Sequence, residues 1–249
     1  MTNVALRLAS IVLLLAVWFV GAHFAGERLL PGPQAVGLAI VNEARSGALA
    51  FNLGVTLARV AVAFVIAMAL GTVIGLAMGR NALIDRIGDP WLVALLNLPA
   101  LVIIVLAYIW AGLTETAAIA AVALNKLPIA TVTVREGARA LDKTLDEMAE
   151  VFRMGRWVRL RHVVLPQLAP YIAAAARSGL SLVWKIVLIV ELLGRPNGVG
   201  FEIGVAFQLF DVTRILAYAL AFVAVMLAIE TFLVQPLERH VSRWRPKQA

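Results

Sequence analysis

Four ionisable residues, Lys126, Lys185, Glu191 and Glu230, lie in long apolar runs of the 249-residue chain. A charge near a bilayer's centre costs at least about 2.5–3.5 kcal/mol on insertion scales, so such residues face a cavity or a partner. Two readings follow. In one, Lys126 and Lys185, with Trp184 and Glu191 beside them, form a path favouring an anionic solute. In the other, the lysines pair with Glu191 or Glu230 and serve structure alone. Catalytic residue sets are missing. There is no cysteine, and His23, His162 and His240 are too dispersed for a metal site. No HExxH, GxSxG or paired-aspartate motif occurs, so no catalytic or metal residues are assigned. The run GRPNGVG (194–200) lacks the Lys-Ser/Thr ending of a phosphate loop and reads as a re-entrant or periplasmic turn.

The elements that position these groups are set by composition. The chain is 62% hydrophobic and 15% charged, with a mean hydropathy of +0.91. Soluble domains are about half apolar and about a quarter charged, so a soluble globule and a disordered chain are excluded. About 20 apolar residues cross a bilayer as a helix. Six runs qualify: about 5–24, 53–79, 91–113, 116–134, 170–193 and 215–234. The fold expected is all-α, a polytopic membrane protein forming one domain over residues 1–249. The first run has no small-residue cleavage site after it and reads as a retained anchor.

Fourteen of the 22 Lys and Arg fall in the N-terminus, 80–90, 135–169 and the C-terminal tail, against four in the opposite loops. The positive-inside rule therefore puts both termini in the cytoplasm, and the +7 charge reports topology, not nucleic acid. Gly71, Gly75 and Gly79 share one helix face and suit close helix packing. Pro99 and Pro128 are expected to kink their helices. Arg59 and Arg177 are expected to snorkel, and Trp91, Trp110 and Trp244 to anchor at the interface.

The longest polar insertion, about 135–169, carries LDEMAEVFRMGRWVRLRHVVLPQLAP. Met148, Val151, Phe152 and Val158 recur at helical spacing up to Pro166, accompanied by Arg153, Arg156, Arg159 and Arg161. Such an amphipathic helix suits anionic headgroups of the bilayer or a groove on a soluble partner.

Glu147, Ala149, Val163, Leu165 and Pro166, in that spacing, resemble the EAA loop of bacterial ABC-importer permeases. LLPGPQAV near residue 30, TLARVAVAFVIAMALGTVIGLAMG and VWKIVLIVELLGRPNGVGFEI extend the resemblance to the subfamily that imports nitrate, sulfonates, taurine and some thiamine-precursor pyrimidines. The resemblance implies a permease paired with a second copy, two ATPase subunits beneath it and a periplasmic substrate-binding protein above, in the bacterial inner membrane. It implies no cofactor in this chain, with ATP and Mg held by the ATPase. By position, Glu147, Met148, Ala149, Phe152, Arg153 and Gly155 belong to the coupling segment, and Leu165 and Pro166 end it. Met148 departs from the family's alanine and Arg153 from its glycine. The bend is therefore expected to move toward Gly155, or the partner to have diverged with it.

Two other classes compete. A gradient-driven transporter predicts inverted repeats, and none is evident. An intramembrane enzyme predicts a catalytic pair at membrane depth, which the motifs do not supply.

Overall fold

The computed structural model describes residues 3–26 and 28–236. Among the described residues the regular structure is entirely helical. In order these are α1 (Asn3–Ala25), α2 (Pro33–Arg45), α3 (Ala48–Arg80), α4 (Ala82–Asn97), α5 (Ala100–Ala111) and α6 (Glu115–Arg139). Then follow α7 (Lys143–Val151), α8 (Arg156–Arg159), α9 (Leu165–Gly194), α10 (Val199–Gln208) and α11 (Val212–Ile229). Four helical stretches are long and apolar enough to cross a membrane: Ala48–Arg80, Glu115–Arg139, Arg156–Gly194 and Val212–Val234. The described apolar part of α1, Ala9–Ala25, is shorter.

The third expected span is not one helix. Together α4 and α5 are apolar enough to cross, but they are bent by 99° at their junction. Leu98 is extended (ψ 125°) and Pro99 caps α5 with ψ 135°. The proline ring disfavours helical backbone at the preceding residue, so the chain turns there and restarts. The span also begins earlier than Trp91, because Asn81 caps α4 by accepting hydrogen bonds from the Leu83 and Ile84 amides. Pro128 acts differently, since α6 runs through it from Glu115 to Arg139.

Two π-helical turns, Leu160–Val164 and Glu230–Val234, precede the prolines at 166 and 236 by the same spacing. In each, an amide reaches back five residues, Leu165 to Leu160 and Gln235 to Glu230. A proline withholds one rung of the i→i−4 ladder, and a widened turn re-routes the bonds around it. Pro166 consequently does not stop the helix.

The chain divides into two compact units, one of Met1–Leu57 with Glu191–Leu227, the other of Ala58–Val190 with Ala228–Ala249. In the second, Met68, Ala130 and Ala175 form one buried cluster and Val134, Ala138 and Leu168 another, joining α3, α6 and α9. The glycine stripe of α3 faces α6: a Cβ on Gly71 would stand 2.6 Å from the Ala130 Cβ, and one on Gly75 2.6 Å from the Thr131 carbonyl oxygen. A Cβ on Gly79 would meet the Ala138 Cβ at 2.5 Å. Dispersion between bare backbones thus joins these two helices. In the first unit, Glu43 of α2 accepts a hydrogen bond from the Tyr218 hydroxyl (2.8 Å) and pairs with Arg214, which also pairs with Glu202 (3.0 Å).

Candidate functional site

The insertion, amphipathic by its period and by resemblance two short helices joined at a bend, folds as two helices. Asp142 caps α7 by accepting from the Thr144 amide (2.8 Å). The helix ends when the Arg153 amide bonds to the Glu150 carbonyl (3.0 Å) and the Met154 amide to that of Ala149 (2.9 Å). This 5→2 and 6→1 pair is the Schellman arrangement, whose closing residue adopts the left-handed conformation and is usually glycine. Here it is Arg153, with φ +50°. The bend therefore stays at Arg153; Gly155 has an ordinary φ of −60° and caps α8. The hydrogen bonds of the motif hold the arginine where its Cβ is disfavoured.

Ala149 is the buried residue of α7 at 1% exposure, whereas Val151 and Phe152 are 79% and 71% exposed. Glu147, Met148, Arg153, Gly155, Trp157, Val158, Leu165 and Pro166 are also exposed. The hairpin thus presents a mixed apolar and charged surface outward and seats itself through one small side chain. Its base is held by charge. Asp146 receives hydrogen bonds from Arg80 at the end of α3 (2.6 Å) and Arg159 of α8 (3.0 Å). The Arg159 bond, and then that of Arg80, keep its carboxyl below the usual carboxylate range despite the opposing effect of burial. In the first turn of α4, Asp85 pairs with Arg139 (2.5 Å) and Arg135 (3.4 Å), and Arg135 also pairs with Asp89.

Within the apolar helices the charges are disposed individually. Lys126 is fully buried between α6 and α9; its ammonium donates to the Ala175 carbonyl (2.7 Å) and its stem fills the space over Gly179, where any Cβ would collide with it. Lys185 is exposed on α9, and among the described residues neither lysine has a carboxylate partner. Trp184 is buried. Glu191, at 0% exposure, accepts from the Thr56 hydroxyl (2.9 Å) and the Gly200 amide (2.9 Å). Glu230 is half-buried and opens the second π turn.

The 194–200 turn closes over Glu191. Gly198, at φ +109°, donates to the Asn52 side-chain oxygen (2.8 Å), and the Val199 amide to the Thr56 hydroxyl (2.9 Å). The buried carboxylate therefore meets the amide-rich N-terminus of α10, where partial positive charge gathers.

Arg59 does not snorkel. It is buried in α3 and makes a bidentate pair with Glu115 at the start of α6 (2.6 and 3.0 Å). Arg177, Trp91 and Trp110 are exposed. Trp244, His240 and the basic C-terminal tail lie outside the described residues. Sequence reading missed Glu115, Asp146 and Gly179. An acid in a helix's first turn marks the first two, but only the fold supplies their arginines. Nothing local marks Gly179.

These features define a polytopic α-helical membrane protein with a two-helix polar hairpin between its spans, the architecture of a transporter's membrane subunit. The chain belongs to the family of binding-protein-dependent transport system inner membrane components, whose family model matches residues 67–244. It is 29% identical over 234 residues to a Bacillus subtilis (strain 168) protein named for aliphatic sulfonates transport, the permease SsuC, covering 93% of this chain and 84% of that one. The taurine transport system permease protein TauC of Escherichia coli (strain K12) is 25% identical, covering 97% of this chain and 90% of its own. A crystal structure of an amino acid ABC transporter shares the fold at a TM-score of 0.65 and 20% identity, covering 82% of this chain and 97% of that chain. The chain is a membrane-embedded permease subunit of an ABC importer.

Proposed function

We propose that this permease carries a small anionic solute of the sulfonate type inward, driven by separate ATPase subunits docked on the α7–α8 hairpin. The single observation that carries the docking is the hairpin itself: Ala149 anchors it while Val151 and Phe152 stand clear of the chain. An apolar helix face with flanking charge fits a groove on a soluble partner. Glu147, Met148, Phe152, Arg153 and Gly155 form the docking surface, and Leu165 and Pro166 join it to α9. ATP and Mg belong to the ATPase, which closes on ATP and carries the hairpin with it. A second copy of the permease completes the pathway, and a periplasmic binding protein delivers the solute. Both termini lie in the cytoplasm, and the membrane is the bacterial inner membrane.

The anionic preference draws support from the sulfonate and taurine relatives and from two lysines without carboxylate partners among the described residues. They are not equivalent, because Lys126 is sealed between α6 and α9 whereas Lys185 is exposed. Of the two, the exposed Lys185 is the one we expect to meet solute.

Co-expression with candidate ATPases tests docking. The native chain is expected to copurify with an ATPase, and the variant Glu147→Ala/Phe152→Asp to lose it. Failure of any ATPase to associate, or equal binding by the variant, would return a gradient-driven carrier to contention. With taurine as probe, Lys185→Gln is expected to lower uptake, and unchanged uptake in both Lys126→Gln and Lys185→Gln removes them from the path.

A further inference from the structure

We propose that Asp146 is the positioning residue that makes the α7–α8 hairpin move as one body with α3 and the root of α9. The inference rests on the reading of that hairpin as the ATPase docking site. Three separate segments converge on this carboxylate. Arg80 is the last residue of α3, Asp146 lies in the first turn of α7, and Arg159 closes α8, which runs on without interruption into α9.

The two arginine nitrogens bind different oxygens, Arg80 to Oδ2 (2.6 Å) and Arg159 to Oδ1 (3.0 Å). Neither arginine has to release its oxygen for the other to bind. The connections around this point are otherwise weak carriers of force. α7 leaves α6 through an irregular turn, and it reaches α8 across the strained bend at Arg153. A push on the outward face of α7 would flex these joints first. The carboxylate bypasses both, linking α7 directly to the end of α3 and to α8, which continues into α9.

Isolated exposed ion pairs are weak, but charge-assisted bonds that share one partly buried carboxylate restrict geometry more than a single pair does. The second aspartate cluster, Asp85 with Arg135 and Arg139, fastens α4 to α6 and includes no residue of α7 or α8. It is the internal control, a similar ion cluster without the hairpin.

The absence of cysteine allows one reporter. Ser181→Cys, at an exposed position of α9, is introduced into the full chain, which is purified with its ATPase in lipid nanodiscs. Maleimide labelling of the introduced thiol is followed with and without ATP and vanadate. Native Asp146 is expected to give a nucleotide-dependent change in labelling rate. In Asp146→Asn this change should shrink about tenfold, within the range of ordinary site-to-site coupling, while copurification and basal hydrolysis persist. Asp146→Glu should restore it. Arg159→Gln should match Asp146→Asn, and the double variant should be no worse than either single one. Asp85→Asn should leave the change intact.

An undiminished response in Asp146→Asn overturns the proposal, as does strictly additive loss in the double variant. Loss of copurification in Asp146→Asn alone also overturns it, since Asp146 would then act in docking. If the native chain binds no ATPase, the docking reading fails first.

Discussion

Glu191 and Lys126 are both fully buried charged side chains on apolar helices, and the protein accommodates them by opposite means. Glu191 is met by a hydroxyl and a backbone amide, under a glycine turn that opens a helix. Hydroxyl and amide dipoles fixed in the fold thus contribute to holding its charge. Lys126 has one carbonyl and an adjacent glycine that leaves room for its length. A carboxylate needs donors, and a helix N-terminus supplies several at once. An ammonium needs acceptors, which the interior of a helix has already committed to its own ladder. The anion site is therefore built, whereas the cation site is mostly space. By this difference Glu191 is tied to the turn above it, while among the described residues Lys126 is met by the single Ala175 carbonyl.

The comparison breaks most sharply at Glu191. Replacement by leucine leaves the Thr56 hydroxyl and Gly200 amide without their acceptor, at about 1–3 kcal/mol for each buried donor. Glu191→Leu is expected to lose most folded protein in detergent, read as the monodisperse peak in size exclusion, with Glu191→Gln milder. A native-like peak and melting temperature for Glu191→Leu would show that the carboxylate is not the keystone of the turn. Gly198→Ala should follow, because a Cβ there would collide with the Glu191 carboxyl and φ is +109°. Left-handed strain of this kind costs about 1–3 kcal/mol, seen as a lowered melting temperature.

Lys126→Met should be far gentler. It removes a buried ammonium, while Ala175 keeps its place in the helix ladder; apolar replacement of buried charge is often neutral or stabilising. A melting temperature within a few degrees of native, or above it, is expected. A collapse like that of Glu191→Leu would erase the distinction between the two sites.

The smallest effect belongs to Asp146, on the polar hairpin. Its folded pKa is depressed, so its contribution is fully present above its unfolded value of about 3.9 and is lost as pH falls through the folded value. The difference in stability between native protein and Asp146→Asn should be under about 1 kcal/mol from pH 5 to 8. It should vanish only below about pH 4. A difference that disappears near pH 6 would mean that another group holds the hairpin.

Several features were legible because they are sums over neighbouring residues. Hydropathy located the long helices, and the acid–apolar–arginine pattern of 135–169 marked an amphipathic segment. The break at Pro99 and the bend at Arg153 were only half legible. A proline or a missing glycine announces that something must give, but how the bonds re-form depends on the turns around it. Pro128 sits inside a continuous helix, Pro166 is met by a π turn, and Pro99 ends a helix. The same residue thus has three outcomes.

By itself, the order of residues determined that this chain lives in a bilayer, that its longest polar insertion is amphipathic and rich in arginine, and that its lysines and acids in apolar runs need accommodation. These follow from transfer free energies and helical period, which act over one or two turns. Only the tertiary structure decided the pairings: Arg59 with Glu115, Asp146 between Arg80 and Arg159, Lys126 against Gly179. Their energies depend on separations of a few ångströms between residues 13 to 66 positions apart. Such separations are set by the packing of whole helices, so no local window of sequence contains them.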